Sequence, residues 1–389
     1  MNHVPIAMLA GLFVLTGCSG TSITLTNSLT VAPITSATQP ASAAEDEAAQ
    51  AADQAVDPGA AESRAVVIVS GGGTVSPFTT PEQACSTEKG FLAAGNSDTA
   101  LRDYLLTQGK QVYTAPVTVP WGTVAYPDPT SFAPFKDCPI TLPESMTIMS
   151  AGDFIASGEA FARFLTYLNT EYGVTDVDLV GHSNGGLYSR AAIRILKQTQ
   201  SPITVRSLTM LGTPNNGTVP GSYTWGEYAK EDCIGNSFCV KFNEQWLTYA
   251  GQGDLGLNRE DTFKYLNGTR GWNNAQAGYL DDIPVTLLAG TYFSESGGNP
   301  TMWPYDGITS QFSAWAEGVS DDVIPHRTCW VAPLTHSIFV TDAYNQLMSP
   351  AEPLDWQTAL TWNSNALARV NEAIDEADAA LDRPTRQGC

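Results

Sequence analysis

The stretch DVDLVGHSNGGLYSRAA, Asp176 to Ala192, joins an apolar run to a run with helical spacing, and a serine stands at the joint. Residues 181–185, GHSNG, follow the pattern G-x-S-x-G with Ser183 at its centre. In a chain this rich in glycine the five letters alone arise by chance with odds on the order of one in five. The context is more informative, because a strand before a serine corner and a helix after it hold a nucleophile clear of the backbone. We predict that Ser183 is such a nucleophile.

Strands and helices alternate on both sides of this stretch. The apolar runs RAVVIVSGGGT (64–74), ITVRSLTMLGT (203–213) and IPVTLLAGTYF (283–293) are continuous rather than alternating. Such runs are typical of strands in a parallel sheet that is covered on both faces. SGEAFARFLTYLNTEYG (157–173) and NGGLYSRAAIRILKQT (184–199) have the apolar spacing of amphipathic helices. The sequence therefore predicts an α/β domain with a mostly parallel sheet and helices on both faces.

The composition limits the number of domains and the kind of partner. With 389 residues, 43% of them hydrophobic and 15% charged, the chain suits one large domain or two small ones. The formal net charge is −21, and the 19 Lys and Arg residues form no basic run. Because phosphate binding needs clustered cations, we exclude nucleic acid as a partner. The composition does not set the oligomeric state.

The segment before residue 64 is predicted to lie outside the folded domain. Residues 1–18 contain an apolar run too short to span a bilayer and are predicted to be an export signal. Their last four residues, LTGC, resemble the lipobox of bacterial lipoproteins, in which the cysteine, here Cys18, becomes the lipid-bearing N-terminus. We expect an envelope lipoprotein at the outer membrane or cell surface; plain secretion is the alternative, because no Lys or Arg precedes the apolar run. Residues 19–63 lack aromatic side chains and are predicted to be a disordered tether, which leaves 64–389 as the catalytic domain.

Two stretches of the predicted domain lack a clear period. Residues 215–280 and 294–318 are rich in glycine and aromatic side chains. Long irregular inserts in a compact domain are usually functional. We predict that they form cap or rim elements above a site, with residues 215–280 as a cap insertion.

The cysteines after Cys18 form an even set in a chain predicted to be exported, so we expect three disulfides. Cys233 and Cys239 flank a short segment and are predicted to pair with each other. Sequence nearness then gives the other two predicted pairs, which are Cys85 with Cys138 and Cys329 with Cys389.

A serine hydroxyl needs a base that takes its proton. Of the four histidines, His3 lies in the predicted signal, and His182 occupies the variable position beside Ser183 and is expected to point away from its Oγ. His326 and His336 remain, and both follow the last strong strand. We predict that His336 is the base.

The acid is expected between the serine and the histidine in chain order. The segment GVSDDVIPHRT (318–328) offers Asp321 and Asp322. Asp321 and His326 are only five residues apart and would have to bend back from one short loop. Asp321 and His336 would instead occupy separate loops at one end of the sheet. We predict Asp321 as the acid, and the choice between it and Asp322 stays open.

A tetrahedral intermediate of acyl transfer needs two N–H donors aimed at its oxyanion. One is expected to be the backbone N–H of Asn184, the residue after the nucleophile. The other is expected from the loop SGGG (70–73) after the first strand. We predict Gly72 as this donor, with Gly73 as the alternative.

Together these motifs resemble the α/β-hydrolase superfamily, and within it the bacterial lipases and esterases. In that family the motif D-G-V-V-P carries the acid at its first position; here DDVIP (321–325) places Asp321 there and an aspartate where the glycine stands. LGTPNNGT (211–218) is similar to the T-P-x-x-G segment that follows the strand after the serine corner in lipases. One departure is Ser70-Gly71, where lipases commonly have His-Gly. The resemblance covers about residue 64 to the C-terminus and implies an α/β-hydrolase fold with irregular cap or rim insertions.

These observations predict an exported serine hydrolase that cleaves carboxylic esters, a lipase or esterase acting through an acyl-enzyme. Its expected substrates are small-molecule or lipid esters, and the chemistry requires no metal or organic cofactor. Some lipases carry a structural calcium ion, and GYLDD (278–282) leaves that possibility open. An amidase, a thioesterase or a polyester depolymerase could use the same residues. A surface binding protein that keeps the fold without the chemistry is the alternative from another class.

Overall fold

The computed structural model describes residues 64–87, 94–95, 97–119, 135–136, 138, 140–150, 152–251, 262–381 and 386–389. The predicted signal at residues 1–18, with Cys18, and the predicted tether at 19–63 lie outside these described residues. Their assignments stay predictions.

One parallel sheet organises the described part of the chain. The strands are β1 (Arg64–Val69), β2 (Ser86–Thr87), β3 (Val112–Thr114), β4 (Val117–Thr118), β5 (Phe135–Lys136), β6 (Ile148–Met149), β7 (Asp176–His182), β8 (Thr204–Leu211), β9 (Val285–Gly290), β10 (Arg327–Ala332) and β11 (Arg386–Gln387). Seven of them form the sheet in the order β11-β10-β9-β8-β7-β1-β3. Every neighbouring pair in it is parallel. Two small sheets, β2 with β5 and β4 with β6, lie outside it.

Helices follow most of the strands. They are α1 (Asp98–Thr107), α2 (Phe154–Tyr172), α3 (Asn184–Gln198), α4 (Val219–Thr224), α5 (Ser237–Gly251), α6 (Phe263–Asn267), α7 (Gln311–Ala314), α8 (Ile338–Met348), α9 (Ser364–Asp375) and α10 (Ala377–Ala380). Short 3₁₀ turns occur at Glu144–Met146, Lys230–Cys233, Asn273–Gln276 and Trp356–Thr358. No helix among the described residues is long and apolar enough to cross a lipid bilayer.

The two faces of the sheet are covered by different helices. Along β1, Ala65, Val67 and Val69 belong to an apolar cluster with α2 and α3. The alternate residues Val66 and Ile68 belong to a second cluster with α1 and α9. Because successive strand residues point to opposite faces, a continuous apolar run fills both layers at once. The predicted fold class, a mostly parallel sheet with helices on both faces, is confirmed.

The strand order contains a switch point beside β1. β1 pairs with β3 on one side and with β7 on the other, and β8, β9 and β10 then follow outward from β7. In open parallel sheets, ligands bind outside the carboxyl ends of the strands at such a switch point. The carboxyl ends of β1 and β7 are followed directly by Ser70 and Ser183.

The predicted cap insertion lies between β8 and β9. Within residues 215–280 the structure describes α4, α5 and α6 and two 3₁₀ turns, with residues 252–261 outside the description. Apolar side chains of α4 and α5, including Val219, Phe238 and Phe242, form a third cluster with Phe293 and with Val340 of α8. This cluster packs the inserted helices against the segments that follow β9 and β10. Their action as a cap over substrate stays a prediction.

All three predicted disulfides are present. Cys85 bonds to Cys138, Cys233 to Cys239, and Cys329 to Cys389. The last pair attaches Cys389 to β10, where the short strand β11 also pairs.

The contact between α2 and α3 leaves no room for a side chain at Gly158. A Cβ atom there would lie 2.4 Å from the Ala191 Cβ and 3.0 Å from its carbonyl carbon. We expect Gly158→Leu to force the two helices apart and to lower the free energy of unfolding by about 1–3 kcal/mol or more. Urea denaturation followed by tryptophan fluorescence measures this loss. The matched control is Ala156→Leu on the exposed side of α2, and equal stability of the two variants would contradict this packing.

Candidate active site

Ser183 occupies a strained corner between a strand and a helix. β7 ends at His182, α3 begins at Asn184, and Ser183 between them has φ 54° and ψ −132°. A non-glycine residue in such a conformation costs on the order of 1–3 kcal/mol and persists only where its surroundings impose it. The Ser183 N–H donates to the carbonyl of Leu211 at the end of β8, 2.8 Å away, which helps to hold the corner.

The glycines around Ser183 let the backbones approach one another closely. A Cβ atom at Gly185 would lie 2.2 Å from the carbonyl oxygen of Val69, and one at Gly181 would lie 2.5 Å from the nitrogen of Gly186. Either side chain would push α3 away from the strands. The G-x-S-x-G pattern is therefore a packing requirement of this corner.

His336 lies beside the Ser183 corner and is paired with a buried carboxylate. The ring of His336 is 4.6 Å from the ring of His182, centroid to centroid. A Cβ atom at Gly212, the residue after Leu211, would lie 2.9 Å from His336 Nδ1. The partner of this nitrogen is Oδ2 of Asp306 at 2.7 Å, and both side chains are almost completely buried. With Nδ1 bonded to Asp306, Nε2 is the ring nitrogen left to exchange a proton with another group.

Asp306 is held in one orientation by its own loop. Its Oδ1 accepts hydrogen bonds from the backbone N–H groups of Ile308 and Thr309, at 2.9 and 2.6 Å. Its backbone carbonyl accepts from the N–H of His336 at 2.8 Å. Oδ2 is therefore directed at the imidazole by three backbone contacts, an arrangement that fixes the ring and its tautomer.

The prediction that Asp321 orients His336 is wrong, because the carboxylate paired with His336 is that of Asp306. Asp321 lies before β10, its side chain is half exposed, and its Oδ1 accepts hydrogen bonds from Arg327 and Arg386. His336 follows β10, so the length of the strand separates it from Asp321. Asp322 and His326 also precede β10 and lie at the same amino-terminal edge. Parallel strands bring together the loops at their carboxyl ends, and these residues belong to the opposite edge.

A local signal for Asp306 exists in the sequence. Asp306 is followed by Gly307, so it begins an Asp-Gly pair of the kind that the lipase-like motif D-G-V-V-P contains, whereas Asp321 lacks the glycine. Gly307 has φ 107°, and a Cβ atom there would lie 2.5 Å from Val340 Cγ1. The glycine is thus required by both conformation and space.

His182, at the variable position of the motif, contacts His336. Its Nε2 donates a hydrogen bond to the backbone carbonyl of His336 at 3.0 Å. Burial, with a smaller contribution from the neighbouring His336, lowers the pKa of His182 well below its ordinary value. A neutral ring with its proton on Nε2 matches this contact.

The loop after β1 passes directly over the corner. A Cβ atom at Gly71 would lie 2.3 Å from Ser183 Cβ and 2.9 Å from its Oγ, and one at Gly72 would lie 2.9 Å from the Asn184 side-chain nitrogen. Gly71 and Gly72 are therefore the loop residues beside Ser183 and Asn184, whereas Gly73 has no atom within 4 Å of its Cβ position. The donor roles of Asn184 and Gly72 stay predictions.

A buried carboxylate lies under the same loop. Asp98, the first residue of α1, is fully buried and accepts hydrogen bonds from the hydroxyls of Ser70 and Ser76. Burial raises the pKa of Asp98 to about 6, although the hydrogen bonds from Ser76 and Ser70 act to lower it. Keeping the Asp98 carboxylate ionised inside the protein therefore costs free energy.

In the part of the chain that the structure describes, no three His, Cys, Asp or Glu residues are grouped so that they could hold a metal ion. In the segment GYLDD, Asp282 forms a salt bridge with Lys197.

The chain matches no protein-family model and no curated protein sequence. Among solved structures it resembles a lipase from Bacillus licheniformis in its propeptide form, with a TM-score of 0.40 and 13% identity over 76% of this chain and 52% of the lipase. An esterase from Pyrococcus furiosus has a TM-score of 0.38 and 12% identity over 80% of this chain and 81% of the esterase. A thioesterase from the prodiginine pathway of Streptomyces coelicolor has a TM-score of 0.35 and 15% identity over 71% of this chain and 80% of the thioesterase. Because these likenesses are remote, the assignment of the site rests on the geometry of the chain's own residues.

The raised pKa of Asp98 predicts a pH-dependent stability. The folded protein binds the proton of the Asp98 carboxyl more tightly than the unfolded chain does. Protonation of Asp98 therefore stabilises the fold fully below about pH 4, and this stabilisation is lost as the pH rises through about 6. We expect the free energy of unfolding of the parent, measured relative to Asp98→Asn, to fall by about 3 kcal/mol across this window. Urea titrations at a series of pH values test this, and a difference that does not vary with pH would contradict it.

Proposed function

We propose that this protein is a serine hydrolase that cleaves carboxylic esters through an acyl-enzyme, with Ser183, His336 and Asp306 as its triad. The observation that carries the proposal is the positive-φ Ser183 corner at the sheet's switch point, beside a buried imidazole whose Nδ1 is paired with Asp306. A strained serine next to an oriented base is the arrangement that activates a hydroxyl for attack. The remote likeness to lipases and esterases is consistent with it.

The mechanism follows from the placement of these groups. His336 Nε2 takes the proton of Ser183 Oγ as the oxygen attacks the ester carbonyl carbon. The resulting oxyanion is stabilised by the N–H groups of Asn184 and Gly72, close to the amino end of α3. The imidazolium then gives its proton to the departing alcohol, and water releases the acid from Ser183 by the same steps. Asp306 holds the His336 tautomer and stabilises the cation without taking the proton.

The proposed substrates are small-molecule or lipid esters. The triad could also cleave thioesters, amides or polyesters, because the attack on the carbonyl carbon is common to all of them. No metal or organic cofactor takes part in these steps. These alternatives, and that of a non-catalytic binding protein, are outcomes of the assay below.

We also propose that the chain is exported and anchored to the cell envelope through a lipid on Cys18. The support is the lipobox-like sequence LTGC and the short apolar run before it. The three disulfides are in keeping with an oxidising compartment.

Substitution Ser183→Ala tests the proposed chemistry. We expect it to lower the hydrolysis of p-nitrophenyl esters by at least about a thousandfold, because the variant lacks the hydroxyl that forms the proposed acyl-enzyme. Initial rates on esters of increasing acyl length, compared with the parent, measure the loss and separate esterase from lipase. If parent and variant are equally inert on all esters, thioesters, amides and polyesters, the hydrolase proposal is wrong and a binding protein becomes the better interpretation.

Asp306→Asn and Asp321→Asn form a matched pair of variants. We expect Asp306→Asn to lower kcat by about a thousandfold or more, since the amide favours the wrong imidazole tautomer. Asp321→Asn loses only partly exposed contacts with Arg327 and Arg386 and should keep kcat within about threefold of the parent. If Asp321→Asn lowered kcat more than Asp306→Asn, Asp321 rather than Asp306 would be the acid.

A further inference from the structure

The proposed mechanism leaves one buried ionisable group without a role. Asp98 begins α1, its side chain is fully buried, and it lies beneath the loop that crosses the Ser183 corner. Within the described residues its hydrogen-bond partners are hydroxyl groups, and it takes part in no salt bridge there. A buried carboxylate without a cation is costly, so stability alone does not account for an aspartate at this position.

Asp98 connects the two ends of one loop. Its Oδ1 accepts a hydrogen bond from Ser70 Oγ at 2.7 Å, and its Oδ2 accepts one from Ser76 Oγ at 2.6 Å. Ser70 is the residue after β1, and Ser76 pairs with Val117 of β4 through its backbone. Both serines are fully buried. We name residues 70–76 the anchored loop.

The middle of the anchored loop is held by two further contacts. Thr74 Oγ1 donates to the carbonyl of Gly71 at 2.6 Å, and Ser150 Oγ donates to the carbonyl of Thr74 at 3.0 Å. Gly71, which the first of these contacts holds, has its Cβ position 2.9 Å from Ser183 Oγ. Side-chain hydrogen bonds therefore help to hold the loop over Ser183, and Asp98 accepts one at each end of it, where Ser76 is also held by its backbone pairing with Val117.

Accurate placement of this loop matters for acyl transfer. An oxyanion donor must lie within hydrogen-bond distance of the position that the oxygen reaches in the transition state, and misplacement by about 1 Å can cost about a hundredfold in rate. An ionised carboxylate accepts from both serines at once, and its charge strengthens each bond. An asparagine can accept through one oxygen only and must present its NH₂ group to the other serine.

We infer that Asp98 is a positioning residue that holds the anchored loop, through Ser70 and Ser76, where its backbone can bind the oxyanion formed on Ser183. The inference rests on the proposed hydrolase function. Asp98 does not touch the substrate, so its loss weakens transition-state stabilisation and leaves ground-state binding of the ester nearly unchanged.

The test compares Asp98→Asn and Ser70→Ala with the matched control Asp178→Asn in the full-length chain. Asp178 is also buried and also accepts a hydrogen bond from a serine, Ser207, but it pairs with Arg64 at the other end of the sheet. The measurements are kcat and KM on a p-nitrophenyl ester, the inhibition constant of an alkyl boronic acid, which forms a tetrahedral adduct with an active serine, and the free energy of unfolding.

We expect Asp98→Asn and Ser70→Ala to lower kcat by about tenfold to a hundredfold, with KM changed by less than about threefold. The boronic acid should bind more weakly by a factor similar to the loss in kcat. Asp178→Asn should keep the kcat and the inhibition constant of the parent even if its stability falls. Ser70→Ala removes a single hydroxyl, so it provides the kinetic answer if Asp98→Asn does not fold.

The outcomes separate this inference from the proposed function. If the parent hydrolyses the ester in a Ser183-dependent way and Ser70→Ala and Asp98→Asn match its kcat, the positioning role is wrong while the hydrolase function stands. Equal losses of kcat in Asp98→Asn and Asp178→Asn would likewise overturn it, because both would then reflect general stability. If the parent itself shows no such hydrolysis, the proposed function fails and this inference fails with it.

Discussion

The close approach of β1 and β7 at their carboxyl ends is the constraint on which the site depends. Glycines let the loop after β1 and the start of α3 come within van der Waals distance of Ser183, and the corner adopts a positive φ because the surrounding strands impose it. The strain at one residue is offset by the continuous apolar packing of both sheet faces. The corner is held by the hydrogen bond from Ser183 to Leu211 and by the close approach of Gly185 to Val69, so strand packing and the proposed nucleophile depend on the same contacts.

Strand direction decides which polar residues can act together. Ser183, Asp306 and His336 all follow the carboxyl ends of parallel strands, after β7, β9 and β10. Asp321 precedes β10 and forms salt bridges with two arginines, at the edge of the sheet where the strands begin. Asp321, fifteen positions from His336 along the chain, is thus separated from it by the length of a strand, while Asp306, thirty positions away, is in hydrogen-bond contact with it.

Two buried polar groups outside the proposed triad hold neighbouring parts of the site in place. His182 is kept neutral by burial and holds the carbonyl of His336, while Asp98 holds the two ends of the loop opposite. Burial of each group costs desolvation energy. Its hydrogen bonds nevertheless hold one defined geometry, because few alternative partners are available in a closed interior. Buried hydrogen bonds from outside the proposed triad thus hold both His336 and the anchored loop close to Ser183.

The sequence by itself determined the features that local patterns encode. Continuous apolar runs indicated the parallel sheet, and the glycine pattern located the Ser183 corner. His336 was favoured over His326 because His326 lies only five residues from Asp321. Nearness along the chain paired the six cysteines after Cys18 correctly. Only the tertiary structure decided that Asp306, and not Asp321, is paired with His336, and only it revealed that Asp98 connects Ser70 with Ser76. The physical reason is that strand propensity and turn chemistry act between neighbouring residues, whereas the partner of a buried carboxylate is chosen by how distant segments meet at one edge of the folded sheet.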